Sequence, residues 1–385
     1  MSYKVTKLRN YSRHRKIRQC KKTITFVVAS VTFFALFLTI FSCNNSSRAS
    51  EKIVQNLLSD TLNTENENTG NKIDYGNTKV LKSIVITDRK GTEIKQQADV
   101  NSKTLGIYEY GTKLDVIEEN EKWIGVRDRV TREFFKDGEK IEHTAWEKVY
   151  VLKNKTGSIS EIILTPSDLN IISSLKVNQK SEDFTVEKSL TKYLALELID
   201  KSLFDSKKSS AVNFLLADTI GNKKKNGIIE LKCQNKIVKY IDKPNAEESL
   251  QVFKYKGQID FLNKYLIKGE YWEWSDCRFI DKTSGEETNI FGEYPYISPN
   301  KKNIICIYSN PYDMTADLEL YAIFDKEIKH IMSASFKYWM PTGEIGKIFW
   351  SSDSYLYLAV NHIYSFWKED GSLNDKYQYI RIKIL

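Results

Sequence analysis

Residues 104–126 read TLGIYEYGTKLDVIEENEKWIGV and contain three short β-type runs that are separated by polar turns. Within each run apolar and polar residues alternate, which is the period of a strand that buries one face. Similar runs lie on either side, namely SIVIT at 83–87, TEIK at 92–95 and WEKVYVLK at 146–153. The sequence therefore predicts a small β-barrel of about 75 residues, at 80–157.

The order of these runs resembles the bacterial SH3 (SH3b) family over about residues 82–157. The motifs that carry the resemblance are Thr104–Gly106, Tyr110–Thr112, Leu114–Ile117, Trp123–Val126 and Trp146–Val151. The chain departs from the family twice. Ala145 replaces the usual Gly before the final Trp, and a charged insertion, Arg127–Glu142, separates the two Trp. The resemblance implies an SH3-like barrel that recognises a cell-wall peptide or a protein partner.

Four aromatic residues fall in or beside the strands of this barrel: Tyr108, Tyr110, Trp123 and Trp146. In SH3-type barrels such side chains can line a shallow groove that receives a peptide, because rigid rings give a large contact area at a small entropic cost. We expect a ligand-binding groove here. The alternative is that Trp123 and Trp146 pack in the core of the barrel.

Residues 158–385 are predicted to form a second, larger β-rich domain. Helical spacing of apolar residues predicts one or two helices in it, at Leu169–Leu175 and Glu187–Lys201. From Ala211 onward strand patterns dominate, with hairpin turns predicted at Gln234-Asn235 and Thr283–Gly285. Two strand–turn–strand units, Ile297–Ile305 and Phe349–Tyr357, resemble the blade turns of TolB-like β-propellers. The fold class is thus mainly β, with a propeller-like arrangement, a β-sandwich and an α+β fold all open for this domain.

The densest aromatic and acidic cluster of the chain is Tyr271–Asp276, which reads YWEWSD. In a strand, Trp272 and Trp274 would share one face while Glu273 would lie on the other. One interpretation is a carbohydrate or peptide platform, formed by the two Trp beside the carboxylates of Glu273 and Asp276. The other is a strand with an aromatic core face and a solvated acidic face.

The N-terminus combines a basic segment, 1–22, with an uncharged run of twenty residues from Thr23 to Ser42. As a helix such a run spans a bilayer, and the basic block before it should stay in the cytoplasm. Ile40–Cys43 also resembles a bacterial lipobox, so 23–43 is either a transmembrane helix or a lipoprotein signal that makes Cys43 the lipidated residue. Residues 44–79 are rich in Asn, Ser, Thr and Glu and predict a flexible tether.

The formal net charge of +8 comes from 58 Lys and Arg against 50 Asp and Glu. Nine of the basic residues precede Thr23, and without them 49 basic residues face 50 acidic ones, a net charge of −1. The charge therefore indicates topology, and nucleic acid is not an expected partner. Since the chain contains no Cys-x-x-Cys motif and only three His after residue 43, we expect neither a metal nor a cofactor.

These features favour a non-enzymatic bacterial envelope protein. It would be anchored in the cell membrane, with both folded domains on the extracytoplasmic side. Its expected partners are the membrane and either peptidoglycan peptides or another envelope protein. No nucleophile elbow, phosphate loop or His-Glu-x-x-His motif occurs. The alternative is a cell-wall or glycan hydrolase that uses the SH3-like domain for targeting.

Overall fold

A computed structural model describes residues 70–136, 139–177, 180–183, 187–218, 222–245, 249–368 and 370–385. The basic segment, the predicted membrane segment with Cys43 and most of the predicted tether lie outside these ranges. Within them, none of the helices has both the length and the apolar character needed to cross a membrane. The described chain forms two compact units that divide after Ser158. It is mainly β, as the sequence predicted.

The N-terminal unit is built on one antiparallel sheet. Its strands are β1 (Lys82–Ile86), β2 (Thr92–Lys95), β3 (Thr104–Tyr108), β4 (Lys113–Glu119), β5 (Trp123–Lys136), β6 (Glu139–Leu152) and β7 (Thr156–Gly157). They lie in the order β3-β2-β6-β5-β4-β1-β7. Ile86 of β1 and Tyr108 of β3 join the same hydrophobic core although their strands lie far apart in this order. The sheet must therefore curve around that core.

The charged insertion Arg127–Glu142 continues this sheet. Strands β5 and β6 pair without interruption from Trp123 opposite Leu152 to Lys136 opposite Glu139. The insertion thus lengthens one hairpin of the sheet, and its outer part is a two-stranded ribbon.

The C-terminal unit contains one α-helix among its described residues, α1 (Lys201–Lys207), and eighteen strands. The strands are β8 (Ile172–Val177), β9 (Lys180–Asp183), β10 (Leu194–Ile199), β11 (Ala211–Val212), β12 (Ile228–Lys232), β13 (Ile237–Ile241), β14 (Gln251–Ile259), β15 (Lys264–Tyr271), β16 (Ser275–Asp281), β17 (Glu287–Phe291), β18 (Pro295–Ile297), β19 (Asn303–Asn310), β20 (Thr315–Phe324), β21 (Glu327–Phe336), β22 (Trp339–Pro341), β23 (Ile348–Ser351), β24 (Leu356–His362) and β25 (Gln378–Ile384).

These strands form four antiparallel sheets. Sheet I is β12-β13, and sheet II is the meander β14-β15-β16-β17. Sheet III has the order β18-β19-β20-β21-β8-β9. Sheet IV has the order β10-β25-β24-β23-β11, and β22 also pairs with β24.

The sheets of this unit pack face to face in series, and alternation along single strands shows how. In β15, Ile267 packs with sheet I and Leu266 with sheet III. In β19, Ile304 packs with sheet II and Ile305 with sheet IV. Because period two sends neighbouring side chains to opposite faces, sheets II and III are buried on both faces. The far face of sheet IV is covered by Phe204 of α1.

The same type of turn joins the first two meander strands in each of sheets II, III and IV. In each, the fourth residue of the turn adopts a left-handed conformation and its N–H bonds to the carbonyl three residues earlier. The residues are Asn263 (φ 56°), Lys301 (φ 60°) and Ser354 (φ 66°). The sequence indicated the second and third of these turns and missed the first.

Both predicted helices are wrong. Residues 172–177 form β8, preceded by a single 3-10 turn at Pro166–Asp168. In the second segment a 3-10 turn leads into β10, and α1 begins only at Lys201. Leu194 and Leu196 both face the core, two positions apart. This alternation has the period of a strand, and these residues form β10 although their apolar positions also fit helical spacing.

The ion pair between Lys264 and Asp281 joins β15 to β16, with 2.8 Å between Nζ and Oδ2. The hydrogen bond from Lys264 lowers the pKa of Asp281 to about 2, against the opposing effect of burial. Because Asp281 is more acidic in the folded state than in the unfolded chain, its charge stabilises the fold. This stability is fully present above about pH 4 and is lost as the pH falls through about 2. Asp281→Asn should therefore lower the urea midpoint of the C-terminal unit near pH 6, and this deficit should shrink near pH 2.5. Glu286→Gln, in the same turn but exposed, is the control; a deficit independent of pH would contradict the expectation.

Candidate functional site

The Trp pair of the Tyr271–Asp276 cluster lies in a hairpin turn. Strand β15 ends at Tyr271, β16 begins at Ser275, and the Tyr271 N–H donates to the Trp274 carbonyl at 2.8 Å. A strand does not run through the cluster, so the expected division of side chains between two faces is wrong. The Trp272 side chain is 62% exposed and that of Trp274 is 54% exposed. The interpretation as an aromatic core face is therefore also wrong for these two residues.

Trp274 is held in place by an aromatic stack. Its ring lies on that of Tyr271, with 3.9 Å between centroids and 17° between planes. Tyr271 in turn contacts Phe253 edge to face at 6.2 Å. The exposed turn is thus fixed to the sheet by stacked rings, and such a rigid aromatic surface loses little entropy when it binds.

An ionic network supports the stack from the side of β16. Asp276, which is buried, pairs with Arg278 at 2.7 Å, and Arg278 also reaches Glu287 at 3.2 Å. The Arg278 guanidinium donates to the Tyr271 hydroxyl. Burial, together with the charge of Asp276, raises the pKa of Tyr271 to about 12. Tyr271 is therefore neutral at physiological pH and serves to position Trp274.

A second carboxylate near the turn is also engaged. Glu293 accepts from Lys268 at 2.8 Å and from the Ser275 hydroxyl at 3.0 Å. Glu273, in the turn itself, is exposed. Glycoside hydrolysis needs two carboxyl groups that face one bond, one of them able to donate a proton. The buried or half-buried carboxylates here are bound to Arg278 or Lys268, an arrangement that suits a support for binding better than an acid–base pair.

The four residues predicted to line a groove in the N-terminal unit do not form one exposed aromatic surface. Tyr108 is buried, its hydroxyl donates to Asp128, and burial raises the pKa of that hydroxyl. Trp123 is 5% exposed, as the packing interpretation expects. Tyr110 lies under the Arg89 guanidinium at 4.1 Å. Trp146 is half-buried, and its ring lies 4.3 Å from that of Tyr75, a residue of the predicted tether. The Arg127 guanidinium lies 4.0 Å from the other ring of this pair, that of Tyr75.

Sequence reasoning missed three residues of these surfaces: Tyr75, Arg127 and Arg278. Arg278 lies two positions after Asp276 in one strand, and this spacing was a usable signal. Tyr75 is a single aromatic residue in a polar segment, and the sequence around it contains no such signal. Over the described ranges, the structure brings together no group of three or more His, Cys, Asp or Glu that could hold a metal ion.

Comparison with known proteins adds no relative to this picture. A scan against family models finds no match to the chain, and searches of the curated proteins and of the solved structures find none either. The SH3b and TolB-like resemblances therefore rest on the quoted residues alone.

Proposed function

We propose that this chain is a non-enzymatic, membrane-anchored binding protein of the bacterial envelope, and that it holds the cell wall through Trp272 and Trp274. The observation that carries the proposal is the exposure of two neighbouring indoles on a turn fixed by the Tyr271 stack. Large apolar side chains exposed together mark an interaction surface.

The chemistry of this turn suits the glycan strand of the wall. Pyranose rings present a flat C–H face that packs on an indole, and Trp272 and Trp274 offer two such surfaces. The carboxylate of Glu273, between them, is an acceptor for sugar hydroxyls. We therefore name the glycan, in preference to the stem peptide, as the ligand of this turn.

The N-terminal sequence supports the membrane anchor in this proposal. Nine basic residues precede an uncharged run long enough to span a bilayer, and this pattern supports an extracytoplasmic location for both units. Mass spectrometry of the mature protein distinguishes the two forms of anchor. A mass that starts at diacylated Cys43 indicates a lipoprotein, and one that includes Met1 indicates a retained helix.

The proposal also includes a fold type for each of the two units. For the N-terminal unit, antiparallel strands that curve around one hydrophobic core support the SH3-like barrel. For the C-terminal unit, we propose a propeller-like array in preference to a two-layer sandwich. Three observations support it: sheets II and III are buried on both faces, three sheets share one turn, and β10 completes the sheet of the C-terminal strand β25.

Cosedimentation of the full chain with purified sacculi tests the wall-binding surface. The variant with Trp272→Ala and Trp274→Ala should bind at least about tenfold more weakly, because each removed indole costs about 1–2 kcal/mol at a binding hot spot. Trp367→Ala removes another exposed Trp, 40% exposed, and should bind like wild type. Glycan strands freed of stem peptides should compete, whereas stem peptides should not.

Two results would overturn the proposal. Equal binding of the double variant and wild type would remove the turn from wall recognition. A fall in the turbidity of the sacculus suspension with wild-type protein would show hydrolysis and contradict the non-enzymatic assignment.

A further inference from the structure

The last part of the predicted tether pairs with strand β6. The Lys148 N–H donates to the Asn71 carbonyl at 2.8 Å, and the Ile73 N–H donates to the Trp146 carbonyl at 2.9 Å. Lys72 lies opposite Glu147 in an antiparallel bridge. Residues 70–75, which we name the clip segment, thus add a short strand to this edge of the sheet. On the same side β2 pairs with β6 only at Tyr150, which leaves the edge at 146–148 to the clip.

The clip ends in an aromatic contact. The Tyr75 ring lies 4.3 Å from that of Trp146, and the Arg127 guanidinium lies 4.0 Å from the centre of the Tyr75 ring. Arg127 also donates to the Tyr75 carbonyl at 3.2 Å and is itself held by Asp115 at 2.8 Å. Two fixed side chains of the sheet therefore recognise both the ring and the backbone of one clip residue.

Side chains at the start of the clip add selectivity. The Asn71 amide donates to the carbonyls of Gln96 at 2.9 Å and Lys148 at 3.3 Å. A Cβ on Gly70 would lie 1.7 Å from Oε2 of the buried Glu147, so only glycine fits there without a shift. The pattern is a glycine, an amide side chain and, four residues after the amide, an aromatic ring.

We propose that the β6 edge at Trp146–Lys148, together with Arg127, is a peptide-binding site that works by strand addition, and that the clip segment is its resident ligand. Backbone bonds supply affinity in this mode and the side-chain contacts supply selectivity. Since the clip occupies the same carbonyl, N–H and ring that an added peptide needs, an external peptide of this pattern binds only when the clip is released. The inference does not depend on the Trp272–Trp274 turn.

Hydrogen exchange on the full chain in detergent tests the resident clip. The Lys148 amide, which donates to the Asn71 carbonyl, should be protected in wild type. Tyr75→Ala should raise its exchange about tenfold, because the loss of the stacked ring and of the cation–π contact is worth about 1–2 kcal/mol. The Val126 amide, in the core of the same sheet, should be unaffected. Unchanged exchange at Lys148 would overturn the proposal.

Binding of a labelled peptide with the sequence of residues 70–78, GNKIDYGNT, tests the site itself. The full chain with Ile73→Pro lacks the N–H that bonds to Trp146 and should bind the peptide at least tenfold more tightly than wild type. Adding Trp146→Ala should abolish that gain. No binding by an Ile73→Pro chain whose Val126 amide stays protected, or binding that does not depend on Trp146, would overturn the proposal.

Discussion

Replacing Arg132 by Met is expected to destabilise the N-terminal unit by about 3–5 kcal/mol. Arg132 and Glu147 form a two-pronged pair between β5 and β6, at 2.9 and 2.6 Å, and both side chains are buried. The hydrogen bonds to Glu147 raise the pKa of Arg132. Removing the cation would leave the Glu147 carboxylate buried without its partner, which costs far more than the pair itself contributes.

Hydrogen exchange at the core amides of Val126 and Val149 measures the free energy of unfolding of the N-terminal unit alone, because these amides exchange when that unit opens. Lys140→Met breaks the exposed pair with Glu133 on the same hairpin and should change that free energy by about 0.5 kcal/mol or less. The combined change Arg132→Met and Glu147→Leu should recover most of the loss. A single-variant loss no larger than that of Lys140→Met would contradict the expectation.

Trp339→Ala is expected to destabilise the C-terminal unit by about 3–5 kcal/mol. Trp339 is fully buried in the core between sheets III and IV, where its ring packs 4.6 Å from that of Phe336. Its indole N–H donates to the Leu169 carbonyl at 3.1 Å. Truncation opens a large cavity and leaves the buried Leu169 carbonyl without this donor, and each of these effects lowers the free energy of unfolding.

The measurement is the exchange of core amides in β24, which lies beside Trp339 in sheet IV. Trp339→Phe keeps most of the volume and should cost about 1–3 kcal/mol, mainly for the lost hydrogen bond. Trp367→Ala, at an exposed position, should cost about 1 kcal/mol or less. Equal effects of Trp339→Ala and Trp367→Ala would contradict the assignment of Trp339 to the central core.

The local β character of this chain could be predicted from its sequence, and the reason is the alternation of side chains. The predicted turns at Gln234-Asn235 and Thr283–Gly285 are confirmed by the pairing of β12 with β13 and of β16 with β17. The sheet order could not be predicted, because it depends on distant pairing. Leu194 lies opposite Ile384, and no local pattern signals that contact.

The candidate site could be found only in part, for the same reason. The density of aromatic residues indicates Trp272 and Trp274 as a candidate site, but the strand period misplaces them, because both lie in the hairpin turn between β15 and β16. The polar neighbours of Tyr75 predict a tether at this position and give no sign of a contact with the sheet. The partners of this tyrosine, Trp146 and Arg127, are more than fifty residues away, and only tertiary structure brings them to it.

We infer different roles for the two aromatic surfaces: wall binding for the Trp272–Trp274 turn, and retention of the chain's own clip segment for Trp146. Cosedimentation of the full chain with sacculi, with Trp146→Ala measured beside the Trp272→Ala, Trp274→Ala double variant, tests this division most directly. We expect Trp146→Ala to bind like wild type and the double variant to bind at least about tenfold more weakly. Loss of binding with Trp146→Ala and full binding by the double variant would contradict the account and return wall recognition to the N-terminal unit.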